Sequence, residues 1–156
     1  MKWFYQHRKF LMILLTFFFI LFIFSNSLQN GTDSGNRSGF VTELLNQFLS
    51  LFHLSITEHF IRKAAHFSEY LILGILLMLT LRSFTTKLGR FLTVPLFVGL
   101  LVPVCDESLQ LLIPGRSGMV SDVLIDFSGV LSGILLCWLF VLFFTKTTSR
   151  RKASPF

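Results

Sequence analysis

Apolar residues run through this chain in long blocks separated by short polar joints. Four stretches carry no charge: Phe10–Asn30, Tyr70–Leu81, Phe91–Cys105 and Phe127–Thr145. The first is densest over Phe10–Phe24, short of the roughly 20 residues that usually cross the hydrocarbon core. Trp3, Phe4 and Tyr5 extend it into the interface. The second becomes a full span only if it starts near Ala64, which brings His66 and Glu69 inside it. The third runs to about Ile113 and takes in Asp106 and Glu107. The fourth starts near Ser121 and takes in Asp122 and Asp126. Only helices and closed barrels satisfy backbone groups in lipid. The pattern therefore predicts four transmembrane helices, at about 8–26, 63–82, 91–113 and 120–145. The expected fold class is an all-α integral membrane protein of one domain, residues 1–156, with an external segment 27–62 and a basic tail 146–156.

The external segment begins with Asn30–Gly39, whose Gly, Ser, Asn and Asp content predicts a loose, turn-rich stretch. Val41, Leu44, Leu45, Phe48, Leu49 and Phe52 then recur at helical spacing. They predict an amphipathic helix, either lying on the outer leaflet or packed on the bundle as a lid. Asn30-Gly31-Thr32 and Asn36-Arg37-Ser38 match the glycosylation sequon, which matters only in a eukaryotic secretory pathway. The basic start, short apolar run and Ser25-Asn26-Ser27 leave a cleaved signal peptide as a rival reading of the first segment.

Composition narrows the class. Hydrophobic residues make up 53% of the chain and charged residues 14%, against roughly 25% charged in an ordinary soluble domain. A chain of 156 residues has too much surface to hide that much apolar side chain within itself. A soluble enzyme and a disordered tail are both excluded. The net charge of +6 points to no nucleic acid, because the basic residues do not cluster on one binding face. They sort instead by side of the membrane. Lys2, Arg8, Lys9, Arg82, Lys87, Arg90, Lys146, Arg150, Arg151 and Lys152 fall on one side with no acidic residue. Arg37, Arg62, Lys63 and Arg116 fall on the other with all eight acidic residues. The positive-inside rule makes the first side, and both termini, cytoplasmic. Of the two cysteines, Cys105 lies about 21 Å above the inner face and Cys137 about 8 Å above it at 1.5 Å per residue. A disulfide needs Cα atoms within about 7 Å, so they are not expected to pair.

The buried polar residues agree in depth. His66, Glu69, Asp106 and Asp126 all fall roughly 20–30 Å above the inner face. They agree in direction too. Arg62, Lys63, His66, Glu69 and Tyr70 share one helical face, Gly99, Pro103, Asp106 and Gln110 a second, and Asp122, Asp126, Gly129 and Gly133 a third. Ionisable groups in a membrane pair, face the bundle interior or line a water-filled cavity. Three polar faces at one depth thus predict one shared, outward-opening site, or else a structural polar network tying three helices. Gly129 and Gly133, beside Ser128 and Ser132, read as small-residue helix packing. Pro95 and Pro103 are expected to kink the third helix. The turn Ile113–Gly118 hangs Arg116 over the mouth, paired with Asp122 or Asp106, or free to present a fork to a carboxylate or phosphate.

Arg62-Lys63-Ala64-Ala65-His66-Phe67-Ser68-Glu69-Tyr70 with Leu73-Gly74 resembles the first signature of the VanZ-like membrane proteins. Asp106-Glu107-Ser108-Leu109-Gln110, Pro114-Gly115-Arg116 and Asp122-Val123, Asp126, Gly129 and Gly133 resemble the second. Leu109 departs from the pattern, since many members carry His there. The resemblance implies a multi-pass protein of the bacterial cytoplasmic membrane. It also implies a link to teicoplanin tolerance, the property of the family's name-giving member.

Three kinds of function fit these residues. The first is a non-catalytic envelope protein that binds a lipid-linked cell-wall precursor or a lipoglycopeptide at the outer mouth. Arg62, Lys63, Tyr70, Glu107, Gln110, Arg116, Asp122 and Asp126 are its candidate binding residues. The second is an intramembrane enzyme in which His66 is a general base held by Glu69 or Asp106. In a variant of it, Asp106, Asp122, Asp126 and Glu69 hold a divalent cation, magnesium or manganese, through oxygen. The third is a transporter with the carboxylates as a proton relay; no inverted repeat supports it.

Overall fold

The fold was analysed in a computed structural model. The structure describes the backbone of residues 2–29 and 31–152, and the side chains of 7–29 and 35–143. These residues form five α-helices and no strand: α1 Lys2–Ser27, α2 Gly31–Leu49, α3 Glu58–Phe84, α4 Thr93–Gln110 and α5 Val120–Lys152. Stretches of four of them, His7–Ser27, Glu58–Phe84, Thr93–Gln110 and Val120–Phe143, are long and apolar enough to cross a membrane. The expectations for Trp3, Phe4 and Tyr5, for the sequon at Asn30 and for the tail side chains lie outside the described residues.

The spans differ from the expected bounds for local reasons. α3 starts at Glu58, a turn and a half early, because Thr57 in extended conformation caps it and accepts from the Phe60 N–H at 3.3 Å. Glu58 in the first turn complements the helix dipole. α4 stops at Gln110 and not at Ile113. Pro114 disfavours helical backbone at the residue before it. Leu112 and Ile113 instead close tight turns onto Leu109 and Gln110. The kink expected at Pro95 has no basis. Pro95 lies in the first turn of α4, where the missing N–H has no intrahelical partner to lose. Pro103 alone sits inside the helix.

The stretch 31–39 is helical, contrary to the loose segment its composition predicts. Ser38 anchors it, its hydroxyl donating to Glu58 Oε1 at 2.7 Å with the Gly35 carbonyl at 3.0 Å as the alternative acceptor. That contact with the start of α3 overrides weak local propensity. The amphipathic helix is present, but it is not a lid packed by its apolar row. Phe40 is 69% exposed and Phe48 64% exposed, and Val41, Leu44 and Leu45 face outward with them. Beyond a 3-10 turn at Ser50–Phe52, Asn46 clamps the return of the chain to α3. Its side chain accepts from the Ile56 N–H at 2.7 Å and donates to the Ile56 carbonyl at 2.9 Å.

α3 and α5 form the spine. Alanine at Gly74 would drive its Cβ into the Val130 carbonyl, and at Gly133 into that of Leu71. At Gly129 the same Cβ would lie 2.5 Å from the Phe67 carbonyl oxygen. The contacts advance together along both chains, Phe67 with Gly129 and Leu71 with Gly133, so the two helices run parallel. This is the close packing expected of the small-residue pairs. α1 lies antiparallel to α3. The Thr16 and Thr80 hydroxyls meet at 2.8 Å, and Asn26 reaches Glu69. α4 is antiparallel to α5, with Gly99 against Val130. The bundle therefore runs up, down, up, down. Its basic end gathers the start of α1, the end of α3, the start of α4 and the end of α5. Ile23, Tyr70, Leu73, Met78 and Val130 fill the core. Phe17, Phe18, Phe97 and Leu135 face outward, as a lipid-contacting surface requires. Cys105 and Cys137 are unpaired, as expected.

Candidate functional site

The polar end of the bundle is built by the last turn of α1, the first three turns of α3, the last turns of α4 and the first turns of α5. At its floor lie Asp106 and Asp126, each with 0% exposure. The sequence places them on facing sides of antiparallel helices, and Gly99, about two turns below Asp106, lets those helices approach. His66 of α3 completes the group. Its Nδ1 lies 3.9 Å from Asp126 Oδ1. One ligand atom from each of His66, Asp106 and Asp126 falls within 4.8 Å of the others.

A belt of hydrogen bonds surrounds this floor. Gln110 Nε2 donates to Glu107 Oε1 at 3.1 Å, to Asp106 Oδ2 at 3.4 Å and to the Ser27 hydroxyl at 3.5 Å. Glu107 uses its other oxygen to accept from the Met119 N–H at 3.0 Å, which ties the α4–α5 turn down over the site. Asn26 donates to Glu69 Oε1 at 3.0 Å. The floor itself is left unsatisfied. Among the described residues, His66 Nδ1, the Tyr70 hydroxyl, Asp106 Oδ1 and both Asp126 oxygens are buried without a partner at hydrogen-bond distance, Tyr70 standing near Asp106. Buried polar groups in native proteins are nearly always paired, so five orphaned atoms in one place mark it as unlike the rest of the bundle.

Two cavities open onto this floor. One, of about 230 Å³, is lined by His59, Arg62, Lys63, His66, Gln110, Arg116, Asp122 and Asp126, with the turn residues Gly115, Ser117 and Met119. The other, of about 260 Å³, lies under α2 and is lined by Asn26, Arg37, Ser38, Val41, Ile61, Arg62, Glu69 and Arg116. Arg62, His66 and Arg116 belong to both. Burial and the neighbouring Arg62 weaken the hold of Arg116 on its proton, while Asp106 and Glu107 strengthen it. An arginine nevertheless stays charged at any ordinary pH.

The sequence-predicted residues divide. His66, Tyr70, Asp106, Glu107, Gln110 and Asp126 converge. Arg116 makes neither of its expected pairs. Lys63 takes Asp122 instead, at 3.5 Å across α3 and α5, and both side chains are 31% exposed at the cavity rim. Arg62 pairs with Glu58 one turn back at 3.0 Å. Glu69 does not hold His66, because Asn26 holds Glu69 and draws it toward the second cavity. The oxygen-only set of Asp106, Asp122, Asp126 and Glu69 is therefore not assembled. Asn26 and Ser27 were not picked out as site residues, although a polar pair closing an apolar span was a usable signal. His59 and Arg37 carried no signal of their own.

The family model described as VanZ/LLP1 matches residues 10–142. No curated protein and no solved structure gives a significant match.

Proposed function

Because this chain belongs to the VanZ/LLP1 family, we propose that it is an envelope protein of the bacterial cytoplasmic membrane. Its polar end faces outward and binds the anionic head of an envelope amphiphile, a lipid-linked cell-wall precursor or a lipoglycopeptide of the teicoplanin kind. The charge distribution supports the orientation, since the basic end carries the positive-inside signature. The observation that carries the ligand reading is the pair of cavities sharing Arg62 and Arg116. The Arg116 guanidinium makes no ion pair or hydrogen bond among the described residues, and its planar fork suits a carboxylate or phosphate. The apolar row of α2 faces outward beside the second cavity. That arrangement suits a ligand whose head enters the cavity while its acyl chain stays in lipid.

The test is susceptibility after deletion and after Arg116→Gln. The expected result is a larger shift for teicoplanin, which carries an acyl chain, than for vancomycin, which does not. Equal shifts for both would sink the amphiphile reading. A second reading is an intramembrane hydrolytic enzyme with His66 as general base. The half-buried His66 lining the first cavity beside Asp126 supports it, although their 3.9 Å separation is an ion-pair distance and not a hydrogen bond. His66→Gln separates the two: lost phenotype at normal membrane abundance with ligand binding intact favours the enzyme.

A further inference from the structure

Asp106 and Asp126 place two carboxylates at one buried point, and among the described residues no lysine or arginine pairs with either. Charge in such a place is costly without a counter-charge. We propose that His66, Asp106 and Asp126 form a binding site for one divalent transition-metal ion, zinc or manganese. The ligands are His66 Nδ1 and one oxygen from each carboxylate.

Four independent features support the site. The first is geometry. The three ligand atoms lie within 4.8 Å of one another, and His66 Nδ1 and Asp126 Oδ1 are 3.9 Å apart. Ligands at about 2.1 Å from a tetrahedral ion are roughly 3.4 Å apart, so a side-chain adjustment of a fraction of an ångström to just over one closes the set. The second is the orphaned atoms. Among the described residues neither Asp126 oxygen has a hydrogen bond, its near neighbour being His66 at 3.9 Å, while Gln110 holds Asp106 Oδ2 from outside. A metal-ligating carboxylate is typically held in this way by an outer partner. The third is charge, since a divalent ion balances two aspartates. The fourth is access. Asp126 is buried, but the His66 side chain is 25% exposed toward the cavity that Arg116 lines. Three protein ligands leave a coordination position open on that side.

The donor set selects the metal. The imidazole moves the preference from magnesium toward zinc, and the two carboxylate oxygens keep manganese acceptable. The site adds to the reading of the cavity as an anion-binding chamber without depending on it.

The experiment loads purified full-length protein in detergent, free of any affinity tag, with zinc or manganese chloride and then removes loose ions by gel filtration. The expected result is about one ion per chain, with occupancy at least tenfold lower in Asp126→Asn and Asp106→Asn. Gln110→Ala is expected to weaken affinity about 10- to 100-fold, as outer-shell losses do. Cys105→Ser keeps full occupancy. X-ray absorption on the loaded wild type, which needs no variant to fold, is expected to show one imidazole nitrogen among oxygens and no sulfur. No ion retained at any loading overturns the proposal. So does an ion that survives both aspartate substitutions, or an infrared band of a protonated carboxylic acid showing that a shared proton neutralises the pair. Arg116→Gln separates this site from the cavity reading, because it is expected to keep the metal while losing the anionic ligand.

Discussion

Replacing Gly129 with alanine adds one methyl group where α5 crosses α3. The new Cβ would stand 2.5 Å from the Phe67 carbonyl oxygen and 3.2 Å from both Leu71 N and Tyr70 Cβ. Ordinary contact begins at 3.4 Å, and the nearest obstacle is backbone, which no rotamer change can move. The helices must part by about 0.9 Å at this level, since close-packed interiors have no slack to absorb the methyl. Overpacking of this kind costs about 1–3 kcal/mol. For a chain of this size each kcal/mol moves the melting temperature by about 2–4 °C, so a fall of about 2–12 °C is expected in detergent. The damage also reaches the site. Gly129 lies one turn from Asp126, and its contact Phe67 adjoins His66, so the 3.9 Å gap between them opens toward the site's loss. Gly39→Ala is the matched control. It lies in α2 with nothing within 4 Å of the added Cβ. There alanine is expected to be neutral or to stabilise by up to about 1 kcal/mol through helix propensity. Thermal unfolding of the two variants side by side decides the matter. Gly129→Ala melting with Gly39→Ala would refute the close approach of α3 and α5.

Asn46→Ala removes both bonds to Ile56; hydrogen exchange across 50–57 is expected to accelerate, with a stability loss of about 1–3 kcal/mol. Thr16→Val removes the hydroxyl contact with Thr80. Such bonds in membranes average about 0.6 kcal/mol, so a melting shift of only a few degrees is expected, and a collapse of the fold would show that α1 depends on it. Glu107→Ala frees the Met119 N–H; faster exchange in the 111–119 turn is expected while the α3–α5 spine stays protected.

Much of this was legible beforehand because lipid imposes a simple code. Apolar blocks that reach spanning length with their polar flanks read most simply as helices, and their apolar faces had to point outward. The convergence of His66, Asp106 and Asp126 was readable from depth and helical angle alone, since both follow from 1.5 Å and 100° per residue. The pairings were not readable. Arg116 had two plausible carboxylates, and the outcome turned on Lys63 reaching Asp122 first. Glu69 shared a face with His66, but Asn26 from α1 captured it, and no pattern within α3 contains α1. The helicity of 31–39 failed for the same reason. Ser38 and Glu58 are distant in sequence, and local propensity cannot register their bond.

The parallel alliance of α3 and α5 makes the molecule's closest interface one between helices that are not consecutive in the chain. α4 leaves the ribosome between the two helices that fit each other best, so α3 must wait in the bilayer for a partner that does not yet exist. During that interval His66 and Asp106 stand in lipid without Asp126, and Gly74 faces no Val130. The last helix supplies the missing half of both the spine and the site. A chain truncated before residue 120 lacks half the spine and one carboxylate of the floor, so it is expected to lose both the packing and the site together.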